Sequence, residues 1–151
     1  MIQTNLFYEE LVKNDINFYA GVPDSLLKDI CGYISDTASK REHIISANEG
    51  SAVGLAVGYY LSTEKLPLVY LQNSGFGNTV NPLLSIADNM VYGIPMVLLI
   101  GWRGEPGIKD EPQHIKQGLI SEDLLKTMNV SYQILDSNSN YQEVIKEARR
   151  T

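Results

Sequence analysis

Cysteine is nearly absent from this chain. Cys31 is the only one among 151 residues, so an internal disulfide cannot form and a cysteine metal cluster has no ligands to draw on. That usage fits a reducing cytoplasm. Basic residues are also scarce: 12 Lys and Arg stand against 18 Asp and Glu, a formal net charge of -6. Nucleic acid and anionic membrane surfaces both reward a basic face, so neither is the expected main partner. No run approaches 18 consecutive apolar residues, and no transmembrane helix is expected. The first ten residues, Met1 to Glu10, lack the basic start and apolar stretch of a signal peptide. Several motifs are missing as well: Gly-x-x-x-x-Gly-Lys-Ser/Thr, the zinc-protease pattern His-Glu-x-x-His, and Gly-Asp-Gly. No assembled set of metal ligands is expected.

What remains is the composition of one globular domain, 44% apolar and 20% charged. Short β-rich runs alternate with longer stretches at helical spacing. Residues 4–14 predict a helix, and 16–20 a strand. Gly21-Val-Pro23 is a turn, after which Asp24 or Ser25 can cap a helix whose apolar face carries Leu26, Leu27, Ile30, Cys31 and Ile34. Residues 43–47 predict a second strand and 49–61 a helix. Residues 66–72 and 94–100 predict third and fourth strands, both buried. A helix over 79–89 separates them. Further on come a long Gly/Pro-broken loop over 101–116, a helix near 118–128, a strand near 131–135 and a last helix from about 139. The fold class that follows is α/β: an open, mainly parallel sheet of about five to six strands, flavodoxin-like, with helices on both faces. The loops after its strands should gather on one rim, where such sheets bind ligands.

Three segments on that rim have residue types suited to chemistry. Glu49 follows a strand and opens a helix in which Gly50, Gly54 and Gly58 form a stripe. Gly54 and Gly58 in a helix interior cost about 2 kcal/mol together, which close approach of another backbone or chain would offset. Composition alone allows Glu49 to be no more than a helix N-terminal carboxylate. The run Gln72-Asn-Ser-Gly-Phe-Gly-Asn78 is the second. It is either a structural turn or a cradle of backbone N–H groups for an anion or flat heterocycle. It lacks the third glycine of a dinucleotide fingerprint. The 101–116 loop is the third, with Trp102, Arg103, Lys109, His114 and Lys116 as donors in an acidic protein. Such cations suit a phosphonate, sulfonate or carboxylate, although Glu105, Asp110 and Glu111 can simply neutralise them. His114 can serve as a general acid or base. Cys31 reads as core, His43 as a surface or capping residue, and Tyr59, Tyr60, Tyr70 and Tyr92 as packing residues. Asp88 reads as a polar position near a helix end.

Phe18–Ser25, Ala47–Ala52, Gln72–Asn78 with Asn81-Pro82, and Gly101–Gly107 leading to Asp110-Glu-Pro-Gln-His114 occur in an order that resembles the thiamine-diphosphate-dependent 2-keto-acid decarboxylases. Within these the chain resembles the pyrimidine-binding half of the phosphonopyruvate decarboxylases, with the sulfopyruvate decarboxylase alpha subunits as near relatives. The resemblance implies that residues 1–151 form one pyrimidine-binding domain. It implies thiamine diphosphate as cofactor and an anionic keto acid as substrate: 3-phosphonopyruvate, decarboxylated to phosphonoacetaldehyde, or alternatively sulfopyruvate. It assigns Glu49 to the ring nitrogen of the aminopyrimidine, where a carboxyl group favours the imino tautomer that activates the cofactor. His114 corresponds to a proton-relaying histidine, and Asp24 or Ser25 to an acidic position near the substrate. Gly75, Phe76, Gly77 and Asn78 would approach the cofactor. Asn73, Arg103 and Lys109 join Ser25 around the substrate.

The family binds the diphosphate and its Mg²⁺ through a Gly-Asp-Gly domain. That domain, beyond residue 151 or on a beta subunit, is therefore the expected partner, together with a homo-oligomer through this domain. Alone, the chain is expected to be inert. A reading from a different class, a non-catalytic flavodoxin-like regulatory or ligand-binding domain, requires Glu49 to be replaceable.

Overall fold

The computed structural model describes residues 2–150. Four strands, β1 (Tyr19–Gly21), β2 (His43–Ile45), β3 (Leu68–Gln72) and β4 (Val97–Gly101), form one sheet in the order β2-β1-β3-β4, with every pair parallel. Helix α1 (Thr4–Lys13) precedes β1, α2 (Lys28–Thr37) joins β1 to β2, and α3 (Glu49–Thr63) carries the chain back across the sheet to β3. The order reverses between β1 and β3, so the crevice favoured for ligands in such sheets lies beyond these two strands. Helices α4 (Pro112–Thr127) and α5 (Tyr141–Arg150) follow. Among the described residues no helix is long and apolar enough to cross a membrane.

Alternation along the central strand builds both halves of the core. Val69 and Leu71 face one way and pack with Ala52, Val53, Ala56 and Val57 of α3 and Leu125 of α4. Leu68 and Tyr70 face the other way, with Phe7 and Leu11 of α1, Cys31 and Ile34 of α2, and Ile145 of α5. Cys31 is core, as expected.

Several expectations need correction. Among the described residues the sheet has four strands rather than five or six: residues 131–135 pair with no strand, and Val130, Tyr132 and Leu135 pack against the core. The fourth strand begins at Val97, not Ile94, and is half-buried because it forms an edge. No regular helix spans 79–89. A 3-10 segment (Asn73–Thr79) runs through one α-turn into a π-helical turn (Leu83–Ala87), then into turns. Leu26 lies outside its predicted helix face and is exposed, as is Tyr92. His43 is half-buried rather than a free surface or capping residue; its Nε2 meets the buried Tyr70 hydroxyl at 2.7 Å. The 101–116 loop is shorter than predicted. Pro112, suited to a first helical position, starts α4, so His114 and Lys116 belong to a helix.

Candidate active site

The strands end at Gly21, Ile45, Gln72 and Gly101 on one rim, and parallel pairing carries the following residues to the same side. On this rim Glu49 opens α3, but it is not the cap. Asn48 has extended backbone, and its Oδ1 accepts the Ser51 N–H at 2.9 Å. The capping hydrogen bond belongs to Asn48, while Glu49 remains the acid of the first turn of α3. Its Oε2 accepts from Asn78 Nδ2 at 2.7 Å, across 29 residues of sequence. Its carboxyl lies directly over Gly75, where an added Cβ would come 2.1 Å from Oε1. Oε1 itself accepts no hydrogen bond among the described residues. The 73–79 segment therefore supplies one contact and one empty space to the same carboxylate.

The other end of that segment works on a different loop. Asn73 is buried, its Nδ2 donating to the Arg103 carbonyl at 2.8 Å and its Oδ1 accepting the Arg103 N–H at 3.1 Å. Its amide also reaches Ser121 Oγ. Asn73 was expected to contact substrate; its polar atoms are instead spent inside the protein, holding Arg103. Phe76, expected at the cofactor, is likewise a core residue, packed with Val69, Leu71 and Leu83.

Arg103 meets Asp110 as a fork, Nε to Oδ2 at 2.8 Å and Nη2 to Oδ1 at 2.5 Å, and its Nη1 donates to Ser25 Oγ at 2.7 Å. Asp110 also accepts the Gly104 and Glu111 N–H groups, both at 2.7 Å, and faces His114 Nδ1 at 3.0 Å. The Arg103 guanidinium, with help from His114 and the two N–H groups, holds the Asp110 carboxyl far below the usual carboxylate range. Backbones touch where this loop crosses α4. A Cβ on Gly104 would meet the His114 carbonyl at 2.1 Å, and one on Gly118 would meet the Gly104 carbonyl at 1.7 Å. The Trp102 indole donates to the Gly118 carbonyl at 3.0 Å. A glycine inside α4, unfavourable for a helix by about 1 kcal/mol, thus has a packing reason.

Ser25, Arg103 and Lys109 border one shallow cavity of about 410 Å³. Lys109 is exposed there, with no ion pair among the described residues. Asp24 is buried against Gly101. Its Oδ2 accepts the Leu26 and Leu27 N–H groups at 2.9 and 3.3 Å, while its Oδ1 is buried with no partner. Gly77 borders open space. Sequence reasoning missed Asp110, treating it as a charge that merely offsets the cations. The available signal was the four-residue step from Asp110 to His114 around Pro112, which puts both at a helix start. Among the described residues no group of three His, Cys, Asp or Glu side chains is arranged to hold a metal ion.

Comparison with known proteins places these features in context. The family model described as thiamine pyrophosphate enzyme, N-terminal TPP binding domain, matches residues 2–127. The chain is 38% identical over 122 residues to phosphonopyruvate decarboxylase of Streptomyces viridochromogenes, covering 80% of this chain and 30% of that protein. It is 30% identical over 141 residues to sulfopyruvate decarboxylase subunit alpha of Methanococcus maripaludis, covering 93% and 81%. The chain therefore spans about three-tenths of the first relative's length and four-fifths of the second's. Its fold matches the thiamine diphosphate-dependent 4-hydroxybenzoylformate decarboxylase of Rhodococcus jostii with a TM-score of 0.72 at 23% identity, over 98% of this chain and 27% of that one.

Proposed function

The chain belongs to the thiamine pyrophosphate enzyme N-terminal TPP-binding family, and on that premise we propose that it is the pyrimidine-binding half of a 2-keto-acid decarboxylase acting on 3-phosphonopyruvate. The observation that carries this reading is the Glu49 corner, where Asn78 holds one carboxyl oxygen and Gly75 leaves room beside the other. A ring nitrogen suits such a corner, since the glycine lets the carboxyl lie against the turn and Oε1 accepts no hydrogen bond among the described residues. Bound there, thiamine diphosphate would supply the electron sink for loss of carbon dioxide.

The chain's own residues then have distinct tasks. Glu49 holds a proton or a charge toward the aminopyrimidine nitrogen, while Asn78 keeps its carboxyl from rotating away. Gly75 and Gly77 let the turn lie close. Lys109, the unpaired cation at the cavity, attracts the substrate's anionic group, and Ser25 and Arg103 shape the wall. Arg103 contributes shape more than charge, because Asp110 already neutralises it. Asp24, whose Oδ1 is buried and unpartnered, and His114, whose Nδ1 faces Asp110, are the groups assigned to proton handling, and neither borders that cavity. The diphosphate and its Mg²⁺ are held by a complementary domain or beta subunit carrying Gly-Asp-Gly, consistent with the absence of that motif from residues 1–151. A homo-oligomer through this domain is supported by Gly54 and Gly58, which face open space on α3. A cytoplasmic location fits the single, buried thiol of Cys31.

Sulfopyruvate is the second reading, favoured by the 81% of the Methanococcus alpha subunit that the chain covers. The test is carbon dioxide release from phosphonopyruvate and from sulfopyruvate with the complementary domain supplied. Glu49→Gln is expected to lower turnover at least about 100-fold. Near-wild-type turnover in that variant would refute the assignment and favour a non-catalytic domain.

A further inference from the structure

His114 stands in a more constrained setting than a proton carrier needs for its own sake. A neutral imidazole carries one N–H, and the nitrogen that faces an acceptor-only group must be the one that bears it. His114 Nδ1 lies 3.0 Å from Asp110 Oδ1. The carboxylate opposite it cannot turn aside, because Arg103 grips both oxygens and the Gly104 and Glu111 N–H groups hold one each. Arg103 is in turn fixed through its backbone by the buried Asn73. A chain of orientation thus runs from the end of β3 through Asn73, Arg103 and Asp110 to one ring nitrogen of His114.

We propose that Asp110 is the positioning residue for His114: by accepting Nδ1–H it sets the ring's tautomer and leaves Nε2 as the nitrogen that moves the proton of the reaction. The inference rests on the proposed decarboxylase reading, in which His114 handles that proton. Replacing a carboxylate by hydrogen consumes one proton, R–CO–COO⁻ + H⁺ → R–CHO + CO₂. The His114 imidazolium gives this proton from Nε2 and keeps the one on Nδ1, and Nε2 then takes a proton back from water. While it is charged, the ring faces the Asp110 carboxylate, as the buried aspartate serves its histidine in a Ser-His-Asp triad. The Arg103 fork keeps Asp110 ionised and aligned, so a residue that looks like part of a loop clamp also decides which nitrogen is available.

Tautomers can be read directly, without turnover, from long-range ¹H–¹⁵N correlations of the neutral ring in the 151-residue chain at about pH 9. The chain has two histidines, and His43→Gln assigns the signals. Wild type is expected to show His114 protonated on Nδ1, whereas Asp110→Ala and Asp110→Asn shift it toward Nε2–H, the form imidazole prefers in water. Unchanged His43 signals, reporting its contact with Tyr70, would show that these variants remain folded. An Nε2–H ring in wild type, or an Nδ1–H ring that survives Asp110→Ala, would overturn the proposal.

In the assembled enzyme Asp110→Asn should lower kcat by about 10- to 100-fold with KM little changed. It should cost almost nothing further in a His114→Gln background. A rise in KM alone, or fully additive losses, would make Asp110 a substrate or folding residue instead. If His114→Gln turns over like wild type, the functional reading of His114 fails, while the tautomer measurement still decides whether Asp110 sets the ring.

Discussion

Glu49 and His114 stand on the same rim and are held there by opposite means. Glu49 rests on an absence: the space over Gly75 would be filled by any side chain, and one amide from Asn78 completes the placement. His114 rests on a charge, since Asp110 gathers a guanidinium, two backbone N–H groups and an imidazole around one carboxylate. The first arrangement is steric and short in range, and pH changes leave the room at Gly75 intact. The second is electrostatic and tied to the ionisation of a single group. One rim can therefore lose its two halves separately.

The comparison is tested most severely at Gly75. Gly75→Ala should push the Glu49 carboxyl aside, because the clash falls on the end of a flexible side chain. Turnover should then fall about 100-fold, as for an ångström-scale misplacement, while the melting temperature barely moves. A normal turnover would show that the space at Gly75 is incidental. Asn73→Ala should do the reverse. It removes both side-chain contacts to the Arg103 backbone and should cost about 2 kcal/mol of stability, or about 4–8 °C in melting temperature for a domain of this size. Unchanged melting would mean that the loop does not depend on its attachment to β3.

Acid should separate the halves next. The Arg103 guanidinium lowers the Asp110 pKa in the folded state, so on acidification the unfolded chain binds that proton first. The stabilisation is fully present above about pH 5 and lost as pH falls further. Thermal melts should thus decline more steeply in wild type than in Asp110→Asn between about pH 5 and pH 2. Equal slopes would show that the cluster adds nothing to folding. The smallest effect belongs to His43, whose pKa is lowered by burial. The unfolded chain gains this proton first as pH drops below about 6.5, so stability falls there, and His43→Gln should flatten the slope. A slope unaltered by that change would place the titration elsewhere.

How much of this was legible in the sequence varied with the range of the forces involved. The nearly continuous apolar run over 66–72 and the helices read over 4–14 and 49–61 record burial by neighbours in sequence, and a sheet covered on both faces follows from them. The strand-ending loops were readable for the same reason, and with them the rim and the position of Glu49. Residues 131–135 misled because their apolar residues anchor a segment that pairs with no strand. The loop after β4 misled because Pro112 begins a helix while also looking like a loop residue.

The sequence by itself determined the α/β class, the parallel order implied by alternating elements, and a glutamate at the head of a helix facing the ligand-binding rim. Tertiary structure alone decided what each polar atom touches. Asn78 reaches Glu49 across 29 residues, Asn73 reaches Arg103 across 30, and Ser25 reaches the same arginine across 78. Periodicity reports which face of an element is buried, whereas a hydrogen bond reports which two elements meet and in what register. That is why the burial of Asn73 and Phe76 could not be read from the sequence, and why Asp110, an ordinary acid in the sequence, became the centre of a cluster only once the chain had folded.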